Sequence, residues 1–187
     1  DVTALVPFTV SPDHVGPDEA RAGRWVSGTF GWWWRYEDGT YPTSTQLRID
    51  GAIYRFNARG YMVTGWVHED GEWFYYGPSG GQASGWVRVH GTWYYLDPIS
   101  GAMASGWMKV QGAWYYLSSS GAMRTGWVRD GSSWYYLTSS GSLSTGWQRV
   151  GSSWYYLSPD GGAMVTGWLK DGGSWFYLSS SGAMVTG

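Results

Sequence analysis

Tryptophan recurs at a fixed spacing along the chain, and its ring is the group here with the clearest binding chemistry. The 187 residues include 16 Trp and 15 Tyr. A Gly-Trp pair recurs every 20 or 21 residues, with its Trp at Trp66, Trp86, Trp107, Trp127, Trp147 and Trp168. A second Trp follows seven residues later each time, at Trp73, Trp93, Trp114, Trp134, Trp154 and Trp175. Because aromatic faces attract cations and stack against sugars, the periodicity predicts a repeated ligand-binding surface.

Three interpretations of these aromatic clusters are open from the residues alone. In the first, a quaternary ammonium ion sits inside a cage of Trp and Tyr faces, where each cation–π contact contributes about 0.5–2 kcal/mol. In the second, a sugar stacks flat on one or two rings. In the third, the rings are only structural and replace a scarce aliphatic core. Both Trp positions stay Trp in all six clear units, which weakens the third interpretation because a structural position tolerates Leu or Val.

The residue types that support catalysis or metal binding do not form a recognisable set. His14, His68 and His90 have neither the spacing of a metal site nor that of a nucleophile's base. Asp precedes Gly at six places, which is typical of turns: Asp38, Asp50, Asp70, Asp130, Asp160 and Asp171. No Gly-rich phosphate loop follows a strand and opens a helix. We therefore expect no catalytic residue, no metal site and no cofactor.

Composition excludes further classes of function. The net charge of -2 gives no reason to expect a nucleic-acid partner. No run of about 18 apolar residues is present and no charged-then-apolar segment opens the chain, so we expect neither a membrane-spanning helix nor a signal peptide. The absence of Cys rules out disulfides and thiolate metal sites.

The period also defines how the chain is organised. Counting back from Trp66 reaches Gln46 and then Trp25, which gives about eight repeats of 20–21 residues. The resulting assignment is a linker or the tail of an upstream domain in residues 1–24, divergent repeats in 25–65 and regular repeats in 66–187.

Each repeat predicts a β-hairpin. Segments such as Trp93-Tyr94-Tyr95-Leu96 are short and aromatic, and Gly-rich turns separate them. Side chains alternate along a strand, so Trp93 and Tyr95 share one face while Tyr94 and Leu96 share the other, which we interpret as core. An isolated hairpin is marginal in water, so the repeats must stack on their neighbours. The predicted fold is an all-β solenoid of stacked β-hairpins.

The motif itself resembles a known repeat. The unit Gly-Trp, then Gly-x-Trp-Tyr-Tyr-Leu, then Ser-Gly-x-Met-x-Thr-Gly-Trp resembles the choline-binding repeat of Gram-positive surface proteins, such as pneumococcal autolysins and phage lysozymes. The resemblance covers residues 65–187 closely and extends to about residue 25. It implies a non-catalytic, extracellular, cell-wall-associated module that anchors an attached protein to choline on teichoic acids. A similar repeat in glucan-binding regions of secreted glucansucrases often lacks one Trp, so a glucan-binding accessory domain is the alternative.

The resemblance also implies the site residues, namely two Trp of one unit, a Tyr of the next, and a Met or Leu. Five such sets occur: Trp66, Trp73, Tyr95 and Met103; Trp86, Trp93, Tyr116 and Met123; Trp107, Trp114, Tyr136 and Leu143; Trp127, Trp134, Tyr156 and Met164; Trp147, Trp154, Tyr177 and Met184. The second repeat has Gln46, Ile53 and Arg55 in place of Trp, Trp and Tyr. We expect the N-terminal interfaces to bind no ligand.

A row of basic residues lies two positions after the first Trp: His68, Arg88, Lys109, Arg129, Arg149 and Lys170. The alternation of a strand places each on the same face as that Trp. One interpretation is contact with the phosphate of phosphocholine or of a teichoic acid. The other is a solvated edge that discourages aggregation.

Overall fold

The computed structural model describes residues 16–186, in which sixteen β-strands pair as eight consecutive antiparallel hairpins. Hairpins 1 to 4 are β1 (Gly23–Gly28) with β2 (Gly31–Tyr36), β3 (Thr45–Ile49) with β4 (Ala52–Phe56), β5 (Gly65–Glu69) with β6 (Glu72–Tyr76), and β7 (Gly85–Val89) with β8 (Thr92–Leu96). Hairpins 5 to 8 are β9 (Gly106–Val110) with β10 (Ala113–Leu117), β11 (Gly126–Asp130) with β12 (Ser133–Leu137), β13 (Gly146–Val150) with β14 (Ser153–Leu157), and β15 (Gly167–Asp171) with β16 (Ser174–Leu178). The predicted all-β fold of about eight hairpin repeats is confirmed. Residues 1–15 of the predicted linker, and Gly187, lie outside the described residues.

Two-residue turns set the register of the regular hairpins. Asp70 and Gly71 form the turn between β5 and β6, with φ of 51° and 84°. Positive φ at both central residues matches the right-handed twist of the paired strands, and Gly adopts it without a steric penalty. The register that results places Trp66 opposite Tyr75, so the first Trp of a hairpin and its second Tyr lie side by side.

The two faces of each hairpin differ in burial. The Leu that ends the second strand is 0% exposed in hairpins 4 to 8: Leu96, Leu117, Leu137, Leu157 and Leu178. A two-stranded hairpin buries little apolar surface by itself. The loop that follows the hairpin helps to cover the Leu side chain, as where Leu137 forms a β-bridge with Leu143. The predicted core position of these Leu side chains is confirmed.

The hairpins group into two compact units, residues 16–104 and residues 105–186. Hairpins 1 to 4 form the first unit, and its main buried cluster consists of Trp34, Leu47, Ile49 and Phe56. Hairpins 5 to 8 form the second, with a buried cluster of Trp107, Val128, Tyr135 and Leu137. Each cluster takes side chains from two successive hairpins, so stacking of neighbours builds the core within a unit.

The first described residues pair with hairpin 2. The Ala20 N–H donates to the Arg48 carbonyl at 2.8 Å, and the Arg48 N–H donates to the Asp18 carbonyl at 2.9 Å. This short pairing covers the outer edge of β3, which would otherwise expose free backbone groups. Within residues 16–186, no helix is long and apolar enough to cross a membrane.

Candidate ligand-binding site

The first Trp of hairpin 6 is held by one Tyr of its own hairpin and one of the next. Trp127 pairs across the strands with Tyr136, and the ring centroids lie 5.1 Å apart. It also meets Tyr155 of hairpin 7, at 4.8 Å between centroids and 68° between ring planes. Edge-to-face pairs at such distances contribute about 0.5–1.5 kcal/mol beyond the burial of their area. Two hairpins therefore fix the position of this indole.

The second Trp adds a more exposed wall. Trp134 stands nearly perpendicular to Trp127, with centroids 6.5 Å apart and 87° between planes. Trp134 is 41% exposed, whereas Trp127 is half-buried. The register accounts for the difference, because Trp134 lies opposite Arg129, close to the turn of the hairpin. The two indoles form a corner that opens to solvent.

A loop residue closes this corner. The N–H of Met164, in the loop after hairpin 7, donates to the carbonyl of Trp134 at 2.7 Å. This backbone bond brings the Met164 side chain to the two indoles. Gly182, with φ of 82°, lies against the Met164 thioether, and a Cβ there would overlap the sulfur. The loop after hairpin 8 therefore requires Gly at this point.

Together these side chains surround one pocket. It has a volume of about 240 Å³ and is lined by Trp127, Trp134, Tyr155, Met164 and Ser181. No lining residue is charged, and all except Ser181 are aromatic or apolar. Three ring faces around an apolar space suit a quaternary ammonium ion, which is attracted to ring faces and has no N–H that needs an acceptor.

The structure places a different Tyr in the pocket from the one expected from the sequence. Tyr156 was expected from hairpin 7, but it pairs across its own hairpin with Trp147, at 5.1 Å between ring centroids. Tyr155 lines the pocket instead. Alternation along β14 sends the two Tyr to opposite faces, and the face shared by Tyr155 and buried Leu157 is the one that meets hairpin 6. A signal for this was present in the sequence, because a core face must cover a neighbouring hairpin.

The ring contact between successive hairpins and the backbone bond from the following loop recur within each unit. The ring contacts between successive hairpins, with centroids 4.8 to 4.9 Å apart, join Trp66 to Tyr94, Trp107 to Tyr135 and Trp147 to Phe176. The matching backbone bonds run from the N–H of Met103, Leu143 and Met184 to the carbonyls of Trp73, Trp114 and Trp154. The Tyr residues expected in these sites pair inside their own hairpins, Tyr95 with Trp86, Tyr136 with Trp127 and Tyr177 with Trp168. The remaining set, Trp86, Trp93, Tyr116 and Met123, takes residues from both compact units and stays a prediction.

Hairpins 1 and 2 form a cluster of the same kind, which the sequence pattern did not reveal. Trp25 meets Tyr54 at 4.8 Å between centroids and 62° between planes. The Met62 N–H donates to the carbonyl of Trp32 at 2.7 Å, and Trp32 is 49% exposed. Arg55 made this interface look incomplete, because it occupies the second Tyr position of hairpin 2. Of the two Tyr positions on the second strand, the first faces the preceding hairpin, and Tyr54 occupies it in hairpin 2.

Hairpins 2 and 3 form a polar junction instead. Gln46, at the first Trp position, donates from Nε2 to the Tyr76 hydroxyl at 3.0 Å. Arg55 Nη2 lies 2.6 Å from Glu69 Oε1, so the neighbouring contact is an ion pair. Burial raises the pKa of Tyr76 to about 12. Gln46 and Ile53 occupy the two Trp positions, so hairpin 2 supplies no indole wall for a cation at this junction. That the junction binds no ligand stays a prediction.

Hairpin 8 shows what a single hairpin contributes. Trp168 and Trp175 are 69% and 64% exposed, and no described hairpin covers them. Their centroids still lie 6.4 Å apart with 86° between planes, nearly the values in hairpin 6. In hairpin 8 the corner of two indoles therefore forms without a third ring from a following hairpin.

The basic row lies beside the second Trp. Register makes each basic residue the cross-strand partner of that Trp: His68, Arg88, Lys109, Arg129, Arg149 and Lys170. In hairpins 5 and 8 the Lys Nζ lies 5.8 Å from the centroid of the partner indole, Trp114 or Trp175. A basic residue thus lies beside the second Trp in hairpins 3 to 8, and its contact with a ligand phosphate stays a hypothesis.

Comparison with known families identifies the repeat. A family model for the choline-binding repeat matches four stretches of the chain, residues 43–84, 63–106, 104–145 and 144–187. The chain belongs to the choline-binding repeat family. Hairpin 1 of this choline-binding repeat module lies before the matched stretches, so its assignment as a divergent repeat stays a prediction, and it forms its aromatic cluster with hairpin 2.

Solved structures of pneumococcal proteins are similar to the module. CbpJ from Streptococcus pneumoniae TIGR4 is 38% identical, with 83% of this chain and 56% of that chain covered and a TM-score of 0.75. Choline binding protein F from Streptococcus pneumoniae, in the presence of a peptidoglycan analogue, is 38% identical, with 82% and 55% covered and a TM-score of 0.74. The multimodular pneumococcal cell wall endolysin from phage Cp-1, complexed with choline, is 35% identical, with 71% and 40% covered and a TM-score of 0.51. The module spans about half the length of the first two chains, and no curated protein matched it.

Proposed function

We propose that the module binds choline groups of cell-wall teichoic acids in the aromatic cages between successive hairpins, and so anchors an attached protein at the outer surface of the cell. The pocket between hairpins 6 and 7 carries this proposal, because Trp127, Trp134 and Tyr155 surround an apolar space there. The similarity to a cell wall endolysin complexed with choline supports the ligand. The similarity to choline binding protein F with a peptidoglycan analogue supports the cell-wall location.

The proposed sites extend over both units. Their members are Trp25, Trp32, Tyr54 and Met62; Trp66, Trp73, Tyr94 and Met103; Trp107, Trp114, Tyr135 and Leu143; Trp127, Trp134, Tyr155 and Met164; Trp147, Trp154, Phe176 and Met184. Three rings contribute about 0.5–2 kcal/mol each, and part of this is lost to the entropic cost of association. Each site is therefore expected to bind choline with a Kd of about 1 mM.

The module acts in this proposal by binding, and any chemical step belongs to the protein that it anchors. The cages enclose a trimethylammonium group, and the rest of the polymer extends from the open side of the corner. Exposure of the second Trp, 41% at Trp134, leaves that side accessible to a macromolecular ligand.

A titration of intrinsic Trp fluorescence separates choline from a glucan. We expect choline chloride to give a saturable change with a midpoint of about 1 mM, because the binding rings are themselves the fluorophores. Sodium chloride at equal ionic strength is the control, and dextran is the competing ligand. A saturable response to dextran, with choline no different from sodium chloride, would overturn the proposal and establish a glucan-binding module.

A further inference from the structure

Two Asp residues that the sequence assigns to turns lie against walls of the cages. Asp130 and Asp171 are the last residues of β11 and β15, so they precede their turns. The indole N–H of Trp107 donates to Asp130 Oδ2 at 3.0 Å. The indole N–H of Trp147 donates to Asp171 Oδ2 at 3.0 Å. Each carboxylate thus reaches back to the first Trp of the preceding hairpin.

The residue at this strand end determines whether a cage receives a carboxylate. Hairpins 4 and 7 have Val89 and Val150 there, so this position supplies no carboxylate to the preceding indole. Hairpin 3 has Glu69, which pairs with Arg55 of hairpin 2. The acid at this position therefore contacts the preceding hairpin in hairpins 3, 6 and 8 alike.

The carboxylate leaves the ring contact between hairpins unchanged. Trp107, which has the acid partner, lies 4.8 Å from Tyr135 of the next hairpin with 67° between planes. The corresponding position of hairpin 7 is Val150, which supplies no carboxylate to Trp127. Trp127 lies 4.8 Å from Tyr155 with 68° between planes. The two kinds of cage share the contact between hairpins and differ in the charge at the edge of the first indole.

The two cages also differ in the burial of that indole, since Trp107 is 6% exposed, and in the loop residue, Leu143 or Met164. Among the described ring contacts, the perpendicular pair of Trp127 and Trp134 has no counterpart between Trp107 and Trp114.

We propose that Asp130 and Asp171 create a class of choline cage with higher affinity, at the Trp pairs of hairpins 5 and 7. The proposal rests on choline being the ligand. An anion hydrogen-bonded to the indole N–H makes the ring face more electron-rich, which strengthens its attraction for a cation. The same anion attracts the bound ammonium through space. A basic residue lies beside the second Trp in both classes of cage, so its presence does not distinguish their affinities for choline.

The size of the effect follows from exposure. Asp130 is exposed to solvent, so water and salt screen its field. We therefore expect the carboxylate to lower the Kd for choline at Trp107 by about two- to fivefold.

Heteronuclear NMR of the full chain measures each cage separately through the indole N–H signals. Trp107→Phe and Trp127→Phe spectra assign the two signals, and choline chloride is added at constant ionic strength. Asp130→Asn keeps an acceptor for the indole but removes the charge, and should raise the Kd at Trp107 by about two- to fivefold. Val150→Asp introduces a carboxylate at the position of hairpin 7 that corresponds to Asp130, and should lower the Kd at Trp127. The Kd of the neutral carbon isostere of choline at Trp107 should not change on Asp130→Asn.

The outcomes distinguish this inference from the proposed function. If choline moves the indole signals but Val150→Asp leaves the Kd at Trp127 unchanged or raises it, the inference is wrong. It is equally wrong if Asp130→Asn lowers the melting temperature and leaves the Kd at Trp107 unchanged, because the bond is then only structural. If no indole signal responds to choline, the proposed function itself fails.

Discussion

Trp134 and Leu137 lie three residues apart on β12, and their side chains have separate roles. Trp134 is 41% exposed and lines the pocket, whereas Leu137 is 0% exposed. An odd separation along a strand sends side chains to opposite faces, so binding and core packing are divided between the two faces of one hairpin.

Alanine substitutions should separate these two roles. Trp134→Ala removes one wall and should reduce the number of choline molecules bound by one, with a modest loss of stability. Leu137→Ala should cost about 2–5 kcal/mol of unfolding free energy because it leaves a cavity in the core. Calorimetry gives the stoichiometry and thermal unfolding gives the stability. A Trp134→Ala variant that binds as many choline molecules as the wild type would show that this ring is structural.

Adjacent Tyr residues should affect different cages. Tyr155 contacts Trp127 of hairpin 6, and Tyr156 contacts Trp147 of its own hairpin. Tyr155→Ala should therefore weaken choline binding at Trp127 by about tenfold, the loss of one ring. Tyr156→Ala should leave that cage unchanged and instead loosen the cage of Trp147. Indole N–H titrations measure both, and the opposite pattern would restore the assignment made from the sequence.

At the scale of the hairpin, ligand binding depends on which residues each face presents to the neighbouring hairpin. Hairpin 2 offers Tyr54 and Met62 to hairpin 1, but it offers Gln46 and Ile53 to hairpin 3. A crystal soaked in choline should therefore show density beside Trp25 and none beside Gln46. Occupied density at the polar junction, or an empty cluster at Trp25, would contradict this account of the divergent repeats.

The polar junction should also make stability depend on alkaline pH. Burial raises the folded-state pKa of Tyr76 to about 12, above the ordinary value of 10.0. Tyr76 therefore contributes stability that is complete below about pH 10 and is lost as pH rises through about 12. The melting temperature of the wild type should fall more steeply over this range than that of Tyr76→Phe. Parallel curves for the two proteins would show that Tyr76 does not titrate in this way.

At the scale of the whole molecule, repetition compensates for weak single sites. Several sites of about 1 mM that engage one choline-bearing polymer can raise avidity by about 10²–10⁴ without new contacts. The protein should therefore be retained on a choline-like ion-exchange resin far more strongly than one site allows, and free choline should elute it. Elution by sodium chloride at the same concentration would indicate simple ion exchange and contradict binding in cages.

The sequence alone was sufficient for the features that depend on local rules. Two-residue turns with Gly determine each regular hairpin, and period-two alternation determines its two faces, as in the segment Trp93 to Leu96. The same rules placed the Leu side chains in the core and both indoles on one face. The loop position of Met164 was implied by the resemblance of the motif, and the structure brings this residue to the predicted Trp pair.

Only the tertiary structure decided how one hairpin meets the next. It selected Tyr155 instead of Tyr156, formed a cluster around Trp25, and placed Asp130 against Trp107. Each of these contacts joins residues from successive repeats, more than 20 positions apart in the chain. Turn chemistry and strand alternation act within a few residues, so they leave open which face of a hairpin covers its neighbour. That choice depends on burying the Leu face and the aromatic face against each other, which happens only when the hairpins stack.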